Sequence, residues 1–308
     1  MAKSKLVGFN FFRPKCTNEK GKITNINLVP LFEELRKRYQ KGKETATDVT
    51  KKTEYKIVYN YNGEPVRLSN IELDVNSQYY HLLFERLHYD LPNKTTLHGE
   101  SEVLDLSKEE YIGHEVSVLY DPYTHVLMIQ RNRNSLGPSA IEQIFKALLS
   151  EAGTTNNFVM PMISDKGAKK RAFKQSAYRK IQMKVVGAQA NGIVEKLTGK
   201  KAEGLDFVEI QFSTSPARID SLDQEFSKEI LQRYSEKDEV KKLSIRAREN
   251  DDSPVEPIDL IDHKLQAYTH MKLDPKRKLN PFAVFANMVK IYNDSEHGGF
   301  KNKIIRMS

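Results

Sequence analysis

Apolar and polar positions alternate along this chain in a way that predicts strands more often than helices, most clearly in one stretch. Between Glu115 and Phe145, Val116, Val118 and Tyr120 point to one face, Asp121–His125 supplies a turn, and Val126–Ile129 is a second apolar run. Ser139 and Glu142 follow Gly137-Pro138 at capping-box spacing, so Ser139 is expected as the N-cap of a helix.

The same periodicity orders the rest of the chain. Lys5–Phe12 predicts an opening strand. Leu28–Tyr39 predicts an amphipathic helix with Leu28, Leu31, Phe32 and Leu35 on its apolar face, and Gln40–Lys52 an exposed loop. Tyr55–Tyr61 and Val66–Leu73 flank Asn62-Gly63, the mark of a tight hairpin. Gln78–Leu91 reads as a strand, Asn93–Asp105 as a loop and Ser107–Ile112 as a short helix.

Beyond residue 157, strands are expected at Phe158–Ile163, Arg179–Val186, Asp206–Phe212 and Leu243–Arg248, with helices over Ile193–Leu197 and Ile219–Tyr234. Strands and helices in that order suggest a sheet covered by helices on one side. An acidic loop, Glu249–Glu256, precedes paired strands over Ile258–Met271. The last helix has Asn280 as N-cap and Pro281 at its first position, with Phe282, Phe285 and Met288 down one side. The small, turn-prone residues of Ser150–Asn157 mark a boundary. The expected fold is α+β, with mixed or antiparallel sheets, packed helices and two lobes. Residues 1–152 form a β-rich lobe, and residues 153–308 a lobe with a basic segment and the C-terminal helix.

Composition narrows the function. Among 308 residues, 49 are lysine or arginine and 41 are acids, a net charge of +8, which favours polyanionic partners such as nucleic acid. The single cysteine, Cys16, excludes an internal disulfide, and the N-terminus lacks a leader's cleavage site, so the cytoplasm is expected. No apolar run approaches the ~18 residues of a membrane span. The eight histidines show no zinc-ligand spacing with cysteine, and no P-loop, dinucleotide fingerprint or nucleophile elbow is present. No metal or cofactor is expected.

The strongest positional signal is a basic segment. From Met162 to Lys184, Lys166, Lys169, Lys170, Arg171, Lys174, Arg179, Lys180 and Lys184 face one acid, Asp165. At helical spacing Lys170 and Lys174 share a face with Tyr178, a ring suited to stacking on a base. Such lysines release counterions from a phosphate backbone, although a solvated helix face has the same look. Arg131 and Arg133 precede the N-terminus of the expected helix, where two guanidiniums and open amides suit a phosphate. Arg131, Arg133, Lys169, Lys170, Arg171, Lys174, Tyr178 and Lys180 are therefore the candidate nucleic-acid-binding residues.

A magnesium nuclease is the rival enzyme reading. It needs an acid, one residue and a lysine on a core strand. That spacing occurs at Glu54/Lys56, Glu239/Lys241, Asp262/Lys264 and Asp274/Lys276, about as often as random placement gives. Asp262/Lys264, near Asp259, is the most strand-like. A histidine-based RNase would draw on Arg86 and His88.

The run VLYDPYTHVLMIQRNRNSLGPSAIEQIF resembles a stretch in bacterial proteins that often lie near antiviral defence genes. IDLIDHKL, a lysine-rich turn and FAVFANMVKIY are similar to the end of the DNA-binding B subunit of the Kiwa defence system. The resemblance spans Tyr55–Leu148 and Ile258–Tyr292 and rests on hydrophobic pattern and turn residues. It implies a bacterial or phage protein of that conflict that binds DNA, with a protein partner from the same operon or a homodimer among the arrangements implied. A partner or inhibitor protein without nucleic acid is the remaining alternative.

Overall fold

The computed structural model describes all residues except 1–3, 18–21, 46–56, 91, 109, 154–156, 166, 203, 216–219, 236, 252–254, 295–298 and 308. The fold is α+β. Contacts divide the chain into two units, one of residues 1–162 with 268–306 and one of Ile163–Ala267. This division differs from the expected one at Ser150–Asn157, and the C-terminal helix belongs to the first unit because it packs on that unit's sheet. No helix among the described residues is long and apolar enough to cross a membrane.

Unit 1 opens with β1 (Ser4–Phe12), β2 (Lys15–Thr17), β3 (Ile23–Asn25) and α1 (Val29–Thr45). The strands β4 (Ile57–Tyr61), β5 (Glu64–Leu73) and β6 (Tyr80–His88) follow, then a small ribbon of β7 (Asn93–Thr95) and β8 (Ser101–Val103). Next come β9 (Ile112–Asp121), β10 (Val126–Arg131), α2 (Pro138–Glu151) and β11 (Asn157–Val159). In unit 2, α3 (Ala168–Lys174), β12 (Ala177–Val186), α4 (Gly187–Thr198), β13 (Phe207–Ser213), α5 (Gln224–Tyr234), β14 (Val240–Arg248) and β15 (Glu256–Asp259) alternate. The chain then runs through β16 (Gln266–Lys272) into α6 (Pro281–Asn293) and α7 (Phe300–Met307).

A seven-stranded sheet in the order β16-β1-β10-β9-β6-β5-β4 forms the centre of unit 1. One face packs on α1 and α2: Leu28, Phe32, Leu35, Ile141, Phe145 and Leu148 meet Val66, Leu82, Phe84, Val116, Val118 and Tyr120. The other face carries α6 and α7, with Phe285 stacked on His81 at 4.4 Å and Phe300 on Phe11 at 4.6 Å. Two adjacent residues at the end of β9 hold these two layers. Tyr120 turns to the α1 side, where its hydroxyl accepts from Leu28 N at 3.0 Å. Asp121 turns the other way and accepts from Thr124 Oγ1 (2.8 Å) and Tyr292 Oη (3.0 Å), with Lys301 Nζ at 3.3 Å.

Several expectations need correction. The helix α1 continues to Thr45, into the expected loop. Asn62-Gly63 does make the hairpin, with φ of 52° and 85° as the primed turn requires. Asn93–Asp105 holds the β7–β8 ribbon, and no helix forms at Ser107–Ile112 among the described residues, because β9 starts at Ile112. Ser139 is not a cap: α2 begins at Pro138 with Gly137 as N-cap, and Glu142 accepts from Met160 N at 3.1 Å. Only Asn157–Val159 of the expected 158–163 strand is one, and α5 starts at Gln224, five residues after Ile219. The Ile258–Met271 strands do not pair, since β15 lies beside β14 in one sheet and β16 beside β1 in another. Asn280 does cap α6, accepting from Phe282 N and Ala283 N, but Phe282 is 55 % exposed while Phe285 and Met288 are buried.

Unit 2 is an antiparallel sheet in the order β13-β12-β14-β15, and most of its apolar positions turn to one side, with Phe207 of β13 among the exceptions. Ile181, Met183 and Val185 of β12 and Leu243, Ile245 and Ala247 of β14 pack with Ala168 and Ala172 of α3, Leu231 of α5 and, at the margin, Ile193 of α4. All three helices therefore lie on one face.

Candidate nucleic-acid interface

The other face of this sheet is polar and bears no helix among the described residues. Period-two alternation puts Lys180, Gln182 and Lys184 of β12 and Lys242, Ser244 and Arg246 of β14 outward, since their neighbours fill the core. The register then fixes the chemistry: Lys180 stands opposite Arg246, Gln182 opposite Ser244, and Lys184 opposite Lys242. Two rows of like charge thus face each other across the central strand pair, separated by one neutral row. Like charges directly opposite on a sheet are destabilising, and none of the four cations makes an ion pair among the described residues. Glu209 of β13 stands across from Lys184, but Lys184 Nζ sits over the Phe207 ring instead, 3.6 Å from its centroid.

Within unit 2 the predicted cations are not brought together. Lys180 alone lies on the open face. The helix α3, with Lys169, Lys170, Arg171 and Lys174, packs Ala168 and Ala172 into the core on the covered side. Arg171 is ion-paired with buried Asp165, while Lys170 and Lys174 are exposed. Tyr178 cannot stack on a base: it is fully buried and its hydroxyl donates to Ala172 O at 2.8 Å. The helical spacing from Lys174 fails because α3 ends there and Tyr178 belongs to β12. Burial pushes the Tyr178 hydroxyl's pKa upward. Lys166 and the Glu54/Lys56 pair lie outside the described residues.

Arg131 and Arg133 belong to unit 1. Gly8, opposite Arg131 in the register, leaves room for Tyr268, whose nearest ring carbon would come within 2.9 Å of a Cβ there. Tyr268 thereby reaches Arg131, accepting a hydrogen bond from Nη1 with the guanidinium 5.9 Å from the ring centroid. Arg133 is exposed. Arg86 and His88 share Glu64, and His88 also contacts Asn134 O at 2.8 Å, so both hold strand and loop together.

The acid-x-lysine pair with the best sequence case sits on no strand. Asp262 and Lys264 pair with each other in the connection after β15, where Asp259 Oδ1 accepts from Ile261 N and Asp262 N. Among the described residues, no group of three or more histidine, cysteine or carboxylate side chains is arranged to hold a metal ion. A serine–histidine–carboxylate order does occur on unit 1's sheet, with Ser117 Oγ 3.2 Å from His81 Nε2 and Glu72 Oε1 3.5 Å from His81 Nδ1. Ser117 and His81 are 1 % and 0 % exposed beneath Phe285, so the group is a packed contact under α6. His81 beside it holds the Glu72 carboxyl below the usual carboxylate range.

With the geometry in place, comparison with known proteins decides one point. The chain belongs to DUF6731, a family of unknown function, whose profile matches residues 2–304. The match takes in both units, so the open sheet and the doubly covered sheet lie within one DUF6731 region. No curated protein matches the chain.

Sequence reading missed Lys242, Arg246 and Phe207. No single segment announces them as a group. Only the register of β12 with β13 and β14 places them beside Lys180 and Lys184.

Proposed function

We propose that this chain binds nucleic acid through backbone phosphates on the open face of the β12–β15 sheet. The setting suggested by its sequence resemblance is bacterial antiviral defence. The observation that carries the reading is the pair of like-charge rows, Lys180 with Arg246 and Lys184 with Lys242. Glu209 of β13 flanks the Lys184–Lys242 row and Asp259 of β15 flanks Ser244, but on the central strands β12 and β14 cation faces cation. A polyanion lying along them relieves that repulsion and releases counterions. Lys170 and Lys174 of α3 add long-range attraction from the covered side but make no part of the contact.

The test is anisotropy of labelled single- and double-stranded DNA and RNA at low salt. Lys184→Glu/Lys242→Glu is expected to weaken binding by a factor on the order of one hundred for all sequences, because two attractive charges become repulsive. Lys170→Glu/Lys174→Glu is expected to cost only a fewfold. Unchanged binding in the first variant would overturn the assignment.

A further inference from the structure

We infer that the strand received by this face is single, and that Phe207 stacks on one of its bases; the inference rests on the nucleic-acid reading above. Width is the first argument. Four strands at roughly 4.8 Å spacing put the outer strand axes roughly 14 Å apart, before side chains are added. The major groove of duplex DNA is about 12 Å wide and admits a helix or a two-stranded ribbon. The sheet is too broad to enter it, so a duplex meets these cations only with its outer phosphates. A single strand has no groove to satisfy and can lie flat along β12 and β14.

The second argument is the ring. Phe207 is the one outward-facing aromatic on this sheet among the described residues, and it is 42 % exposed. It stands at the start of β13, opposite Val186, and Lys184 covers one side of it at 3.6 Å. That contact fixes the ring next to the Lys184–Lys242 row, so a phosphate held there leaves its base beside an aromatic surface. Base stacking on aromatic side chains tolerates any sequence, as does a backbone contact to lysine. Gln182 and Ser244, between the cationic rows, supply uncharged donors and acceptors for sugars or base edges.

The chain contains no tryptophan, so Phe207→Trp introduces a single indole reporter at the stacking position. This variant would be titrated with a single strand of about twelve thymidines, with the same strand paired to its complement, and with an abasic phosphodiester of equal length. Anisotropy and indole fluorescence would be read together. The expected result is quenching by the single strand that saturates with the anisotropy, and no quenching by the abasic or paired ligands. The abasic ligand should bind roughly tenfold more weakly, and Phe207→Ala should lower single-strand affinity to a similar degree. Single-strand binding without quenching, or equal affinity for the duplex with Phe207→Ala unaffected, overturns the inference and leaves the phosphate reading standing. Absence of anisotropy change with all three ligands removes the phosphate reading and this inference with it.

Discussion

The sheet of unit 1 has helices on both faces, whereas the sheet of unit 2 has them on one, and the strands differ accordingly. From Val116 to Asp121 every residue of β9 is buried. On β12 the pattern alternates from Ile181 onward, with Ile181, Met183 and Val185 buried and their neighbours half-buried. Doubly covered strands read as near-continuous apolar runs, and singly covered ones show period two. The difference also decides what a polar residue does. In β9 a polar side chain must find partners inside, and Tyr120 and Asp121 do so by anchoring opposite helical layers. In β12 and β14 the outward cations Lys180, Lys184, Lys242 and Arg246 make no ion pair among the described residues.

Substitutions in the two sheets should therefore behave oppositely. The largest effect is expected at Asp121. Asp121→Ala strips an acceptor from Thr124 and Tyr292 and the counter-ion from Lys301, costing about 3 kcal/mol in denaturant unfolding. Asp121→Asn should lose less, since it keeps an acceptor for the hydroxyls. A loss below ~1 kcal/mol in Asp121→Ala would mean that α6 and α7 are held by apolar packing alone.

Tyr120→Phe comes next. It leaves Leu28 N without its acceptor at the start of the α1 layer, for an expected loss of about 1–2 kcal/mol. Acid titration offers a third comparison within unit 1. The Tyr80 hydroxyl, which donates to Glu33 Oε1 at 2.6 Å, and Arg36 hold the Glu33 carboxyl below its usual range. Its folded value is thus depressed, and the stability it contributes is complete above the unfolded value of about 4.3 and lost as pH falls through the folded one. Tyr80→Phe should flatten the decline of stability with acid below that pH, measured by chemical unfolding at a series of pH values.

The smallest effect has the opposite sign. Lys242→Gln on the open face removes a charge facing Lys184, and should leave stability unchanged or raise it by a few tenths of a kcal/mol. Destabilisation beyond ~0.5 kcal/mol would mean that Lys242 has a structural partner after all.

Much of the fold was legible because local chemistry and tertiary context agree. Asn62-Gly63, the alternation of β12 and the Asn280 cap are each specified by adjacent residues. Ser139 failed as a cap because Gly137-Pro138 starts α2 two positions earlier, and Glu142 is drawn to Met160 N, which is far from it in sequence. The proposed binding face was half legible. Lys180 belongs to a visibly basic run, but that run divides between a helix on the covered side and a strand facing out. Tyr178 read as a stacking ring because helical spacing was extended past the end of α3. Its burial follows from the register irregularity between Tyr178 and Lys180, which puts Tyr178 and Ile181 on one side. Lys242 and Arg246 come from a strand some sixty residues further on, and pairing, not spacing, brings them to Lys184 and Lys180.

Lysine footprinting tests the central claim most directly. The full-length chain would be acetylated briefly with and without a saturating oligonucleotide, and modification at each lysine read by mass spectrometry. Binding on the open sheet predicts protection of Lys180, Lys184 and Lys242, with Lys170 and Lys174 of α3 labelled equally in both samples. Protection confined to Lys170 and Lys174, or no lysine protected although the oligonucleotide is bound, would contradict it.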